Sequence, residues 1–254
     1  SKESIYIGYY DMNNLYGWSM SNKLPIRPLD EIEPDYSINE LGFDFGVDVD
    51  GEICYFVEVD LTLPKEFHNY QSQLPMFPDH IEVDDSMLSD KQKEWKEEHK
   101  IKSGDSKKLI CSLTDKKHYK VHLKLLQLGL KHGWVVTKFH KAYSFEQKAF
   151  MKPFVENRSE KRKVAKTDFE KDYYKLCVNA PYGKTGENMR NRINVKLEYE
   201  NEDKRIFSHY NLQDWTQLSE DGLFMMDYKK ESVKLNKPIY LAVAILDLAK
   251  YAMY

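Results

Sequence analysis

Residues 171–192 read KDYYKLCVNAPYGKTGENMRNR. Lys175, Asn179 and Tyr182 stand at intervals of four and three, with Gly183 directly after. On a helix such intervals bring side chains to one face. A lysine there can clamp a phosphate as a point charge. A tyrosine one turn away can pack on a base or a sugar. A glycine lets the backbone pass close to a substrate. The pattern predicts a helix over 168–180, stopped by Pro181 and Gly183. It also describes an ordinary amphipathic helix closed by proline and glycine, so this stretch alone leaves both readings open.

A second stretch near the other end carries chemistry of its own. Residues 9–20 read YYDMNNLYGWSM. The apolar, β-prone run at 5–10 predicts a buried strand that delivers Asp11 at its end. A carboxylate there is a hard oxygen donor of the kind Mg²⁺ takes. The following turn would set Tyr16 beside whatever the metal holds. An aspartate after a strand is more often a turn or cap residue, so this stretch too is ambiguous when taken singly.

Together the two stretches are specific. DMNNLYGW resembles the first palm motif of family B DNA polymerases, and KLCVNAPYG resembles their fingers motif. The similarity is nearest to the protein-primed polymerases of Polinton (Maverick) elements and related viruses. DMNNLYGWSMSNKLP, EVDLTLP, VENRSEKRKVAKTDFEKDYYKL, YGKTGENMRNRINV and KPIYLAVAILDLAKYAMY carry it over essentially the whole chain. Asn14 and Ala180 stand where serine is usual. The third family motif, Tyr-x-Asp-Thr-Asp-Ser, does not occur in the sequence.

The resemblance implies template-directed DNA synthesis on a primer-template from deoxynucleoside triphosphates, with a terminal priming protein as a further partner. Asp11 would be the catalytic ligand of a two-Mg²⁺ site. Leu15, Tyr16, Lys163, Lys171, Lys175, Asn179 and Tyr182 would bind the nucleotide. Gly183, Lys184, Arg190 and Arg192 would meet the DNA backbone, where contacts supply affinity and position rather than sequence reading. The expected fold is α+β: a palm with insertions over 1–145, helical fingers over 146–190, and a return to an incomplete palm over 191–254. With the third motif and a preceding exonuclease region missing, the expectation is a fragment, inactive alone. The alternative is a domesticated, transposon-derived remnant that binds DNA or protein without catalysis.

Composition is compatible with both. A net charge of -3 excludes nothing, because nucleic-acid binding depends on local clustering of charge. Cys54, Cys111 and Cys177 match no CxxC spacing and read as free buried thiols of a reducing, intracellular compartment; the family resemblance implies a nucleus or a viral replication site. No apolar run approaches the length of a membrane span.

The remaining elements follow from periodicity and punctuation. Strands are predicted over 53–61, 107–114, 134–143, 191–199 and 204–209. Helices are predicted over 119–132, ended by Gly133, over 146–166, and over 239–254. Residues 90–102 read as a solvated helix or exposed insertion. The segments around Pro25, Pro28 and Pro34, and around Pro64, Pro75 and Pro78, read as irregular. His118 and His122, at i,i+4, have the spacing of a helical zinc pair but no third ligand. Asp60, at a strand end, reads as structural.

Overall fold

A computed structural model describes residues 8–9, 11–73, 75–101, 107–199 and 205–254. The strand expected over 5–10 lies almost wholly outside them. The elements run α1 (Leu15–Ser21), β1 (Leu24–Ile32), β2 (Ile53–Thr62), α2 (His68–Gln71), β3 (Asp79–Ile81), α3 (Asp90–Glu98), β4 (Lys108–Ile110), β5 (Lys116–His122) and α4 (Leu123–Lys131). Then follow β6 (Val135–Lys148), α5 (Lys152–Val164), α6 (Asp168–Thr185), β7 (Ile193–Tyr199), β8 (Leu212–Gln217), β9 (Leu223–Lys229) and α7 (Ile239–Met253). The chain divides into two compact units, residues 1–178 with 243–254, and Asn179–Ala242.

The first unit is built on an antiparallel sheet in the order β1-β6-β2-β5. Val57, Val59 and Leu61 of β2 alternate onto one face and meet Leu125 and Leu126 of α4, with Trp134, Phe77 and Phe139 completing the core. Each such aliphatic side chain contributes about 1.5–3 kcal/mol on full burial. Gly133 closes α4 at φ 95, a conformation that glycine adopts without steric cost.

Several elements differ from expectation. The proline-rich stretch is a strand: β1 holds Pro25 and Pro28. It lies at the sheet edge and is bulged at Pro25/Arg27 and Pro28/Glu31, so missing N–H groups leave the ladder intact. The helix expected over 119–132 begins only at Leu123. Tyr119–His122 continue β5, where Val121 pairs with Val57. His122 is the switch point, extended at ψ 130, its Nδ1 accepting the Lys124 N–H at 3.2 Å. The helix expected from 146 starts at Lys152, because β6 pairs with β1 and β2 as far as Lys148 and Glu146. Pro153 then sits in its first turn, where an N–H is dispensable.

Pro181 does not stop α6. The helix continues to Thr185, whose hydroxyl donates to the Tyr182 carbonyl at 2.7 Å. One donor is missing at Pro181, and the last turn closes around it. The strand over 107–114 shortens to β4, paired with β3. α3 is fully solvated, as expected, and starts with a capping box between Ser89 and Gln92.

The second unit holds an antiparallel sheet ordered β7-β9-β8. Within 204–209 the chain forms a 3₁₀ turn at Ile206–Ser208, not a strand. Phe207 of that turn packs edge-on against Trp215 and Phe224, an anchorage that needs a turn rather than a pleat. β8 and β9 are absent from the sequence expectations, although Phe224, Met226 and Tyr228 alternate inward. The three cysteines are free, but only Cys54 is buried; burial pushes its thiol up to about 12. Among the described residues no helix is long and apolar enough to cross a membrane.

Candidate nucleotide and DNA interface

The first motif forms a turn leading into α1. Asn14 takes the left-handed conformation, φ 55 and ψ 43, which asparagine tolerates better than most residues. Its carbonyl accepts the Trp18 N–H at 2.9 Å. Gly17 is buried beneath it: a Cβ there would lie 2.2 Å from Asn14 Nδ2. The absence of a side chain at Gly17, the third residue of α1, leaves the Asn14 amide room to lie over the helix. Asp11 is exposed ahead of this turn, and Leu15 and Tyr16 are half-buried.

α1 packs on α5, and between them lies a cleft of about 360 Å³. Asn13, Asn14 and Trp18 line one wall, and Ser159, Glu160 and Lys163 the other. Lys163 is thus brought to the turn that follows Asp11, across some 150 residues of sequence. Asn13 and Ser159 escape a reading of the sequence; neither carries a charge or a spacing that marks it.

α6 carries Lys171, Lys175, Asn179, Tyr182, Gly183 and Lys184 on one continuous helix. Lys175 and Asn179 are exposed and Tyr182 is half-buried. Lys171 is paired with Asp168 at 3.0 Å. Gly183 has no atom within 4 Å of where a Cβ would stand and does not adopt a left-handed conformation. No close approach within the described structure accounts for this glycine.

Lys184 and Arg192 converge on Glu187. Arg192 holds it through two contacts, at 2.7 and 2.9 Å, and Lys184 through one at 2.8 Å. These hydrogen bonds, Arg192's first, bring the Glu187 carboxyl down to about 2. Arg190 is exposed in the 3₁₀ turn Met189–Asn191.

Among the described residues no group of three His, Cys, Asp or Glu could hold a metal ion. His118 and His122 lie on a strand, where four residues span about 13 Å. His118 bonds Glu58 at 2.7 Å, while His122 is buried and pushed down to about 4 by desolvation and by Lys124. Asp60 is fully engaged. Its Oδ1 accepts the His118 N–H at 2.9 Å and His140 Nε2 at 2.8 Å, and its Oδ2 meets Lys117 at 3.2 Å. Burial works against its ionisation, but these bonds outweigh it and hold the carboxyl well below the usual range. Asp60 is a structural tie between β2, β5 and β6.

Residues 1–254 match the family described as DNA polymerase type B, organellar and viral. No curated protein matches the chain. Among solved structures it is similar to an orthorhombic crystal form of Phi29 DNA polymerase, with 14% identity, a TM-score of 0.50, and 94% of this chain and 33% of that chain covered. The same polymerase complexed with primer-template DNA matches at 14% identity and TM-score 0.48, covering 94% and 32%. Its ternary complex with primer-template DNA and incoming nucleotide substrates matches at 15% and 0.48, covering 94% and 33%. The chain spans about a third of the length of that polymerase. The likeness is one of fold and agrees with the expected α+β class.

Proposed function

The chain belongs to the organellar and viral type B DNA polymerases, and from that membership we propose that it supplies the nucleotide-holding part of a template-directed DNA polymerase. The observation that carries the reading is the unbroken α6, which presents exposed Lys175 and Asn179 one turn apart in a chain matching the family along its whole length. In this proposal 1–145 is palm with insertions, 146–190 is fingers and 191–254 returns to the palm. The finer reading is a protein-primed enzyme of the Polinton and viral kind, working with a terminal protein at a nuclear or viral replication site. It is supported by the quoted stretches around both motifs.

Each residue then has a physical task. The Lys175 ammonium holds the triphosphate as a compact point charge. Lys163 and Lys171 add charge on either side of the α5–α6 connection, Lys171 by releasing Asp168. The backbone amides of Leu15 and Tyr16 face the phosphates, and the Tyr16 ring lies under the sugar. Asn179 and Tyr182 line the base and sugar pocket. Gly183, Lys184, Arg190 and Arg192 meet the DNA backbone, with Lys184 and Arg192 exchanging Glu187 for phosphate.

Polymerases of this family use divalent cations, which stabilise charge on the attacking and leaving oxygens. Asp11 has the donor chemistry for Mg²⁺. It is a single carboxylate, and the described residues do not complete a metal site around it.

Lys175→Ala tests the reading directly. A charge-assisted contact contributes about 1.5–3 kcal/mol, so affinity for a deoxynucleoside triphosphate should fall about 10- to 150-fold. The exposed position predicts an unchanged melting temperature. Unaltered nucleotide affinity in this variant would reduce α6 to a structural helix.

A further inference from the structure

The first unit carries a small cleft of about 270 Å³ that involves no residue of the polymerase motifs. Its lining comes from three stretches far apart in the chain: Asn69, Tyr70, Gln71 and Gln73 in and after α2, His132 at the end of α4, and Tyr254 after α7. None of these residues is Lys, Arg, Asp or Glu. Burial pushes the Tyr254 phenol up to about 12, so that wall stays uncharged at neutral pH.

Two features of the lining call for a guest. Tyr70 is 62% exposed, and its ring lies near-parallel to that of His132, centroids 5.7 Å apart at 18°. Its hydroxyl hydrogen-bonds His132 Nδ1 at 2.9 Å, which fixes the ring and leaves a flat aromatic surface uncovered. Gln71, by contrast, is 3% exposed. Its Nε2 donates to the His132 carbonyl at 3.2 Å, but its buried Oε1 has no hydrogen-bond partner among the described residues. Buried acceptors are almost always paired, and one left unpaired is costly. Gln73, exposed two residues on, can turn aside to let a donor reach Oε1.

We propose that this cleft seats the indole of a tryptophan carried by a partner protein. Indole is flat, stacks on tyrosine, and has one N–H donor and no acceptor. That matches one uncovered ring surface and one unpaired acceptor. A guanidinium would bring five donors and a charge into a cleft without a carboxylate. A nucleobase would bring ring acceptors, and among the described residues the cleft has no unpaired buried donor to meet them. At about 270 Å³ the cleft is smaller than the roughly 300–1,000 Å³ of sites for drug-sized ligands, which suits a single side chain. The amides of Asn69 and Gln73 on the rim can each donate to and accept from the peptide backbone on either side of the indole. Tryptophan is a common anchor of protein interfaces. The inference goes beyond the polymerase reading and uses none of its residues.

The test titrates the 254-residue chain with N-acetyl-tryptophan methylamide and follows the side-chain amide of Gln71 by heteronuclear NMR. A saturable shift of that signal is expected. The naphthylalanine analogue, of similar size but without an N–H, should bind about 2- to 12-fold more weakly, the equivalent of one neutral hydrogen bond. Tyr70→Ala, at an exposed position, should weaken the tryptophan derivative by about the same factor through loss of one aromatic contact. Free indole should bind more weakly than the derivative, because it leaves the rim amides unmet. The inference is overturned if the Gln71 signal does not respond, or if the naphthylalanine analogue or Tyr70→Ala binds as the parent pair does. It is also overturned if free indole binds as tightly as the derivative, which would make the cleft a small-molecule site, or if adenosine binds more tightly than either. Lys175→Ala should leave this binding unchanged, so the cleft and the α6 reading stand or fall separately.

Discussion

Gly183 illustrates a residue whose identity the surrounding fold does not demand. A methyl group there would meet nothing within 4 Å, and the backbone is not left-handed. Alanine is better than glycine in a helix interior by about 1 kcal/mol, because glycine loses more backbone freedom on folding. Gly183→Ala should therefore hold or raise the melting temperature. If a substrate backbone approaches this position, the same change should lower affinity for primer-template or nucleotide. A variant both more stable and equally tight would place Gly183 away from any ligand. Gly17 is the opposite case: the Asn14 amide fills the space its Cβ would need, so a larger residue there displaces the Asn14 side chain.

At the scale of elements, the β5–α4 junction carries a pH dependence. His122 is buried, its Nδ1 caps α4 by accepting the Lys124 N–H, and its backbone N–H donates to Asp247 Oδ2 of α7 at 2.9 Å. Burial, reinforced by Lys124, depresses the imidazole to about 4 from an ordinary 6.5. Between those values the unfolded chain binds the proton and the folded chain does not, so stability is full above pH 6.5 and falls as pH drops toward 4. The decrease attributable to His122 is on the order of 3 kcal/mol. Asp247, raised mainly by burial, acts in the opposite sense in acid. The comparison of variants isolates the histidine: His122→Asn keeps a capping acceptor and removes the titration. Denaturant unfolding from pH 7 to 4 should show a shallower decline for His122→Asn than for the parent. Parallel declines would mean that the imidazole is already protonated in the folded state.

At the scale of the molecule, the 254 residues should give no Mg²⁺-dependent primer extension above background. Asp11 is one carboxylate, the sequence has no Tyr-x-Asp-Thr-Asp-Ser, and the described residues form no three-ligand group. In-line attack requires both reacting oxygens to be held, and such positioning contributes on the order of 7–11 kcal/mol. Robust extension that disappears in Asp11→Asn would show that another carboxylate already serves.

The strand Ile53–Thr62, the solvated α3 and the apolar α7 are legible in the sequence because each follows from local periodicity, an N-cap or an uninterrupted apolar run. Lys175, Asn179 and Tyr182 share a helix face by their spacing, and it is the resemblance of KLCVNAPYG to the family's fingers motif that makes them candidates; both are properties of the chain alone. Pairing partners and burial are not. β1 is a strand despite two prolines because β6 pairs with it on one side and, among the described residues, no strand pairs with it on the other. His122 departs from the helix pattern because β2 claims its backbone, and His118, at the register shift of the same strand, gives its N–H to the Asp60 carboxylate. Lys163 meets the Asn13–Asn14 turn only when α5 packs on α1. The contact of Phe207 with Phe224, and of His209 with Tyr228, joins the 3₁₀ turn to β9 across a stretch that no local pattern marks. Local patterns depend on neighbours a few residues away, whereas these contacts join segments whose meeting is decided by the burial of apolar surface over the whole chain.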